Sequence, residues 1–113
     1  QVTMDLPWRN DGFLAPKNKI DLTHYSKIRC YVYLYSDDAD YPWHLSVASH
    51  NNPADNYLVA SVELPYPNGS QYAGWRTAEL DVSGITGSHY VGIRSWIYND
   101  HAYCSIGTFE LIP

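Results

Sequence analysis

The sequence predicts an all-β domain, an antiparallel β-sandwich, on three features of its 113 residues. No window carries a sustained apolar stripe at i, i+3, i+4 and i+7, so nothing argues for an amphipathic helix. Short stretches of alternating apolar and polar residues recur along the chain. Pro, Gly, Asn and Asp separate them at short intervals. Seven or eight short strands joined by polar turns bury their apolar faces best as two stacked sheets, an antiparallel sandwich. There is no internal repeat and no linker, so residues 1–113 read as one domain, large enough for a single core.

The first strand, Val2 to Leu6, alternates weakly, and Gly12 to Ala15 and Ile20 to Leu22 flank an APKNK turn. The clearest strand is Ser26 to Tyr35, SKIRCYVYLY. Period two puts Ile28, Cys30, Val32 and Leu34 on one face, and Arg29, Tyr31, Tyr33 and Tyr35 on the other. After the acidic loop SDDADYP, Trp43 to Ser49 turns Leu45 and Val47 inward, and His44, Ser46 and Ala48 outward. Tyr57 to Leu64 aligns Leu58, Ala60, Val62 and Leu64. Gly74 to Val82 aligns Arg76, Ala78, Leu80 and Val82 against Trp75, Thr77, Glu79 and Asp81. The SGITG turn leads into His89 to Tyr98, with Val91, Ile93 and Ile97 opposite Tyr90, Arg94, Trp96 and Tyr98. In the closing strand, Tyr103 to Ile112, Cys104 and Ile106 fall out of phase with Phe109 and Leu111. A bulge at Gly107 reconciles them.

Composition narrows the function classes. Aromatic residues are 15% of the chain, and eleven tyrosines and four tryptophans outnumber two phenylalanines. Such rings pack at one end and hydrogen-bond at the other, which suits surfaces and clefts. A net charge of -5 without Lys/Arg clusters argues against nucleic acid. No apolar run reaches membrane-spanning length, and no basic amphipathic helix marks a membrane surface. Cys30 and Cys104 read as buried thiols. A disulfide between them requires Cα atoms within about 7 Å, which only neighbouring first and last long strands would provide.

The two strands with aromatic outer faces carry the functional expectation. If they share a sheet, Arg29, Tyr31, Tyr33, Tyr35, Arg94, Trp96 and Tyr98, with His44, form a platform of rings and guanidinium groups. Sugars stack their C–H faces on such rings while a few polar groups fix the hydroxyls. The same residues would make a tyrosine ladder that merely stabilises the sheet, by about 0.2–1 kcal/mol per pair. A second candidate lies on the loops, at Asp37, Asp38, Asp40, Tyr41, Trp43, Asp100, His101 and Tyr103, although acidic loops are commonly plain solvated turns.

The run GWRTAELDVSGITGSHYVGIRSW followed by YCSIGTFELI resembles the C-terminal half of jelly-roll carbohydrate-binding modules. IDLTHYSKIRCYVYL is similar to the corresponding N-terminal stretch of modules appended to phage and prophage tail proteins of Gram-positive bacteria. The resemblance covers about Lys19 to Leu111. It implies a galactose-binding-like jelly roll that binds surface glycan or polysaccharide without catalysis, attached to a larger extracellular or virion-associated protein. It also implies a structural calcium, for which Asp5, Asp11 and Glu110 match by position. The alternative is a structural or assembly domain whose aromatic face packs against another chain.

Enzymatic signals are absent from the sequence. His24, His44, His50, His89 and His101 show no metal-ligand spacing, and no nucleophile elbow, P-loop or dinucleotide motif occurs. Of the carboxylates a glycosidase would need across a cleft, Glu63, Glu79 and Asp81 are the candidates. The last two share one face of one strand, and solvated strand carboxylates account for them.

Overall fold

A computed structural model describes residues 2–6, 11–14, 18–36, 43–52, 54–64, 73–96 and 102–113, with side chains described over 18–34, 43–52, 54–64, 74–94 and 105–113. Among the described residues nine strands follow one another: β1 (Val2–Leu6), β2 (Asp11–Leu14), β3 (Ile20–Asp21), β4 (Lys27–Ser36), β5 (His44–Ala48), β6 (Leu58–Glu63), β7 (Ala73–Asp81), β8 (Ser88–Trp96) and β9 (Ala102–Ile112). A short 3-10 turn, Asp55–Tyr57, leads into β6. The strands form two antiparallel sheets, one ordered β1-β9-β4-β7 and the other β2-β8-β5-β6, with β3 also pairing with β8. The expected β-sandwich is present.

Alternation explains the core. Ile28, Cys30, Val32 and Leu34 of β4 are buried against Leu45 and Val47 of β5 and Val91 and Ile93 of β8. Ala78 and Leu80 of β7 join them, with Val82 just beyond. Arg76 continues that inward face and is buried at its end, where its guanidinium donates to the Gly74 carbonyl. Leu58 breaks the phase expected for β6. The register between β5 and β6 shifts at Val47/Ala48, so Ala60, Val62 and Leu64 pack on the core while Val59 is exposed. Trp43, expected on a loop-edge site, is instead fully buried in the core.

The irregularity expected at Gly107 is found. Tyr31 pairs with Thr108 and Val32 with Ile106, so Gly107 is the extra residue of a bulge in β9. Ile106 before it, and Phe109 and Leu111 after it, all pack on the core. The same register separates the cysteines. Cys30 lies opposite Phe109 and Cys104 opposite Leu34, about 13 Å away along the strands, too far for a disulfide. Cys30 is a free, buried thiol, and burial pushes its pKa up to about 11.

Two turns of one design close one end of the sandwich. In IDLTHY, Asp21 Oδ1 accepts from the Thr23 amide (3.0 Å) and hydroxyl (2.6 Å). In LDVSGI, Asp81 Oδ1 accepts from the Ser83 amide (2.9 Å) and hydroxyl (2.6 Å). The residue inside each turn, Leu22 or Val82, is fully buried. The turns also tie to neighbours: the Ser26 carbonyl accepts from the Val82 and Ser83 amides, and the Thr23 hydroxyl accepts from the Gly87 amide. Gly84 and Gly87 supply the left-handed backbone, at φ 91° and 85°, that lets the chain reverse there.

Hydrogen bonds to the charged form hold the Asp21 and Asp81 carboxyls below the ordinary value of 3.8. Depressed folded-state values mean that this stabilisation is complete above the unfolded value and is lost as pH falls through the folded ones. A pH series of thermal midpoints should therefore decline below about pH 4. In the Asp21→Asn/Asp81→Asn double variant the decline should be shallower. An unchanged slope would show that other carboxylates set the acid limit.

Candidate ligand-binding face

The anticipated single platform does not form, because β4 belongs to the four-stranded sheet and β8 to the five-stranded one. Their outer faces point away from each other. Each half of the expected site therefore has its own surroundings. Of the loop candidates, Asp37, Asp38, Asp40, Tyr41, Asp100 and His101 lie outside the described residues, as does the side chain of Tyr103.

On the five-stranded sheet the outer face is largely buried along β5 and β8, while Val59 and Glu63 of β6 stay exposed. Arg94 sits opposite His44 in the register, and its side chain is only 3% exposed. The segment after β5 brings Asp55 onto the Arg94 guanidinium as an ion pair. That segment is braced from within. Asn52 Oδ1 accepts from the Ala54 amide (2.8 Å), the Ser49 amide donates to the Tyr57 carbonyl (2.9 Å), and the His50 and Tyr57 rings lie 4.1 Å apart. Ser46 and Ala48, expected outward, are both buried, Ser46 sharing a hydrogen bond with Ser61 across the strands. Arg94 is thus a structural cation, and His44 lies half-buried beside it. Trp96 is at the end of β8 opposite Asp11, its side chain outside the described residues; Tyr98 lies outside them altogether.

The four-stranded sheet keeps an open face. Pairing of β4 with β9 on one side and β7 on the other sets the outer residues in rows. Arg29 lies between Glu110 and Glu79, Tyr31 between Thr108 and Thr77, and Tyr33 between Ser105 and Trp75. The register continues to Tyr35, between Tyr103 and Ala73, whose side chains lie outside the described residues. Tyr31 and Trp75 stack, with centroids 4.6 Å apart and planes 14° from parallel. Tyr33 meets the indole edge-on at 5.6 Å. Despite this packing Tyr31 remains 45% exposed and Trp75 46% exposed.

Gly107 makes the cluster possible. A Cβ there would lie 3.0 Å from the Tyr31 carbonyl oxygen and 3.1 Å from Trp75 Cζ3, so the indole reaches across β4 to rest on the bulge of β9. Trp75 stands on the expected outer face of its strand but is not among the expected contact residues. Its two-residue phase with Thr77 and Glu79 is visible in the sequence, whereas its approach to Tyr31 depends on strand order.

Charges close one end of the rings. Arg29 Nε donates to Glu79 Oε2 at 2.7 Å, and Lys27 Nζ is 3.7 Å from Glu79 Oε1. The hydrogen bond and charge of Arg29, then the charge of Lys27, hold the Glu79 carboxyl below its ordinary range. Glu110 flanks Arg29 from the other strand.

The residues matched to a calcium site do not fit one. Asp5 lies opposite Tyr103 and Glu110 opposite Arg29, about 20 Å apart along the sheet, while Asp11 is in the other sheet. Among the described residues no group of three or more His, Cys, Asp or Glu is placed to hold a metal ion. Glu63, at the edge of the second sheet, and Glu79 lie on different sheets and do not face each other across a cleft. Compared with protein-family models, with curated proteins and with solved structures, the chain matches none.

Two substitutions separate the faces. Gly107→Ala should cost about 1 kcal/mol by overpacking and change the near-ultraviolet circular dichroism of the Tyr31–Trp75 pair; an unaltered spectrum would mean the indole does not rest on the bulge. Arg94→Ala should cost about 2 kcal/mol in chemical denaturation, as befits a buried, ion-paired guanidinium. A cost near zero would instead mark Arg94 as an available binding group.

Proposed function

We propose that the protein is a non-catalytic carbohydrate-binding module that holds a poly- or oligosaccharide on the outer face of its four-stranded sheet. The observation that carries this reading is the ring cluster of Tyr31, Tyr33 and Trp75, in which Tyr31 and Trp75 are exposed. Two amphipathic rings, Tyr31 and Trp75, are left nearly half open to water, with the partly buried Tyr33 against them. On a sheet face whose neighbours are Thr77, Thr108 and Ser105, they combine apolar surface with hydroxyl donors and acceptors. That is the mixture a pyranose ring requires. An ordinary solvated face would carry charged or small polar side chains at those positions.

The strand order supports the finer fold reading. Sheets ordered β1-β9-β4-β7 and β2-β8-β5-β6 place chain-distant strands side by side, as the double Greek key of an eight-stranded jelly roll does. Attachment to a larger extracellular or virion-associated protein rests on the sequence resemblance. A second reading, an assembly domain, draws on the position of Trp75. Among the described strands β7 is the edge of its sheet, so the rings lie beside a backbone edge that another chain would meet.

A glycan array spanning bacterial wall polysaccharides and plant fibre fragments, read with the parent protein and Trp75→Ala, tests the proposal. Binding should weaken by at least about tenfold in the variant, while the fold survives a cost of about 1–2 kcal/mol from two lost ring contacts. No binding by the folded parent, together with a mass that rises with concentration in light scattering, would favour the assembly domain.

A further inference from the structure

The outer face of the four-stranded sheet also carries a selectivity, and this inference rests on the glycan reading above. We propose that the face takes neutral, hydroxyl-rich glycan chains laid along β4 and rejects chains bearing carboxylates or sulfates, with Glu79 and Glu110 enforcing the rejection.

The rows set the direction. From Arg29 through Tyr31 to Tyr33, the column on β4 advances two residues per row, about 13 Å in all. The flanking positions on β7 and β9 carry short hydroxyl side chains at Thr77, Thr108 and Ser105 and no side chain at Gly107. An extended chain following this column meets rings beneath it and hydroxyls on either side. Across the column it would run over the edge after a single strand on the β7 side.

The charges set the selectivity. Within the described face the cations are Lys27 and Arg29, and the anions are Glu79, Asp81 and Glu110, Asp81 lying opposite Lys27. Arg29 is bracketed by both glutamates and bonded to Glu79 at 2.7 Å, and Lys27 also approaches Glu79 at 3.7 Å. Two cations beside three carboxylates leave no net positive charge to receive an anionic sugar. A uronate or sulfate placed on the rings would lose hydration, gain no free guanidinium, and approach two carboxylates. The whole chain, at net charge -5, repels it further. A neutral hydroxyl has none of these costs.

The test is affinity electrophoresis of the whole domain through gels containing galactomannan or hydroxyethyl cellulose as neutral probes, or polygalacturonate as the anionic one. The parent protein should be retarded by a neutral polymer and not by polygalacturonate. Glu79→Gln/Glu110→Gln frees Arg29 and leaves Lys27 with Asp81 alone, and should tighten binding to polygalacturonate by about tenfold, with the gain erased by added salt. Retention on the neutral polymer should persist in that variant, which shows that it is folded. Retardation of the parent by polygalacturonate as strong as by the neutral probes overturns the selectivity while leaving glycan binding intact, as does a folded double variant with no gain. No retardation by either class overturns the glycan reading, and this selectivity with it.

Discussion

Hydrogen bonding along both sides of β4 is the constraint on which most of the molecule depends. Lys27–Ser36 pairs with β7 along one edge and β9 along the other, so its two faces inherit neighbours from distant parts of the chain. The inward face puts Cys30 beside Ala78 and Phe109, and the outward face puts Tyr31 beside Thr77 and Thr108. Neither set is adjacent in sequence. Because side chains alternate strictly, a slip of one residue in either ladder would exchange the core with the aromatic face. The buried aliphatic set on one side, and the bulge at Gly107 on the other, hold the register.

Two arginines in similar sequence settings meet opposite ends. Arg29 and Arg94 each stand on the outer face of a strand, two residues before an aromatic. Arg29 lies in the open with its charge shared between glutamates on adjacent strands, whereas Arg94 is buried and ion-paired with Asp55 from the connection between β5 and β6. The loop between β5 and β6 makes the difference. A guanidinium shielded from water must keep its partner, so the loop and the sheet beneath it become one packed unit.

Which residues of β4, β7 and β8 face the core was legible in period two, since Ile28, Val32, Leu80 and Ile93 alternate with polar neighbours in unbroken phase. The bulge was legible too, because Gly107 lies where that phase fails. Sheet membership was not. Nothing in SKIRCYVYLY or HYVGIRSWIY states that they stack in different layers, and that fact divides the expected platform in two. The burial of Trp43 was hidden for a related reason. A tryptophan after an acidic, proline-containing loop reads as surface, but the sandwich needs a large side chain to fill the space between its layers. Trp75 joins the site only through its diagonal reach to Tyr31.

The place of β1 bears on how the domain comes into being. β1 is made before every other strand described, yet it pairs with β9, the last, and β9 is also what separates it from β4. As the chain leaves the ribosome, the four-stranded layer stays split, with one side of β4 unpartnered, until the final strand emerges. Closure then demands contacts spanning nearly the whole chain, the sort that slow folding. Until that moment the aliphatic face of β4 has half its shelter, and the nascent chain depends on β7 and the opposite layer to keep it from its neighbours.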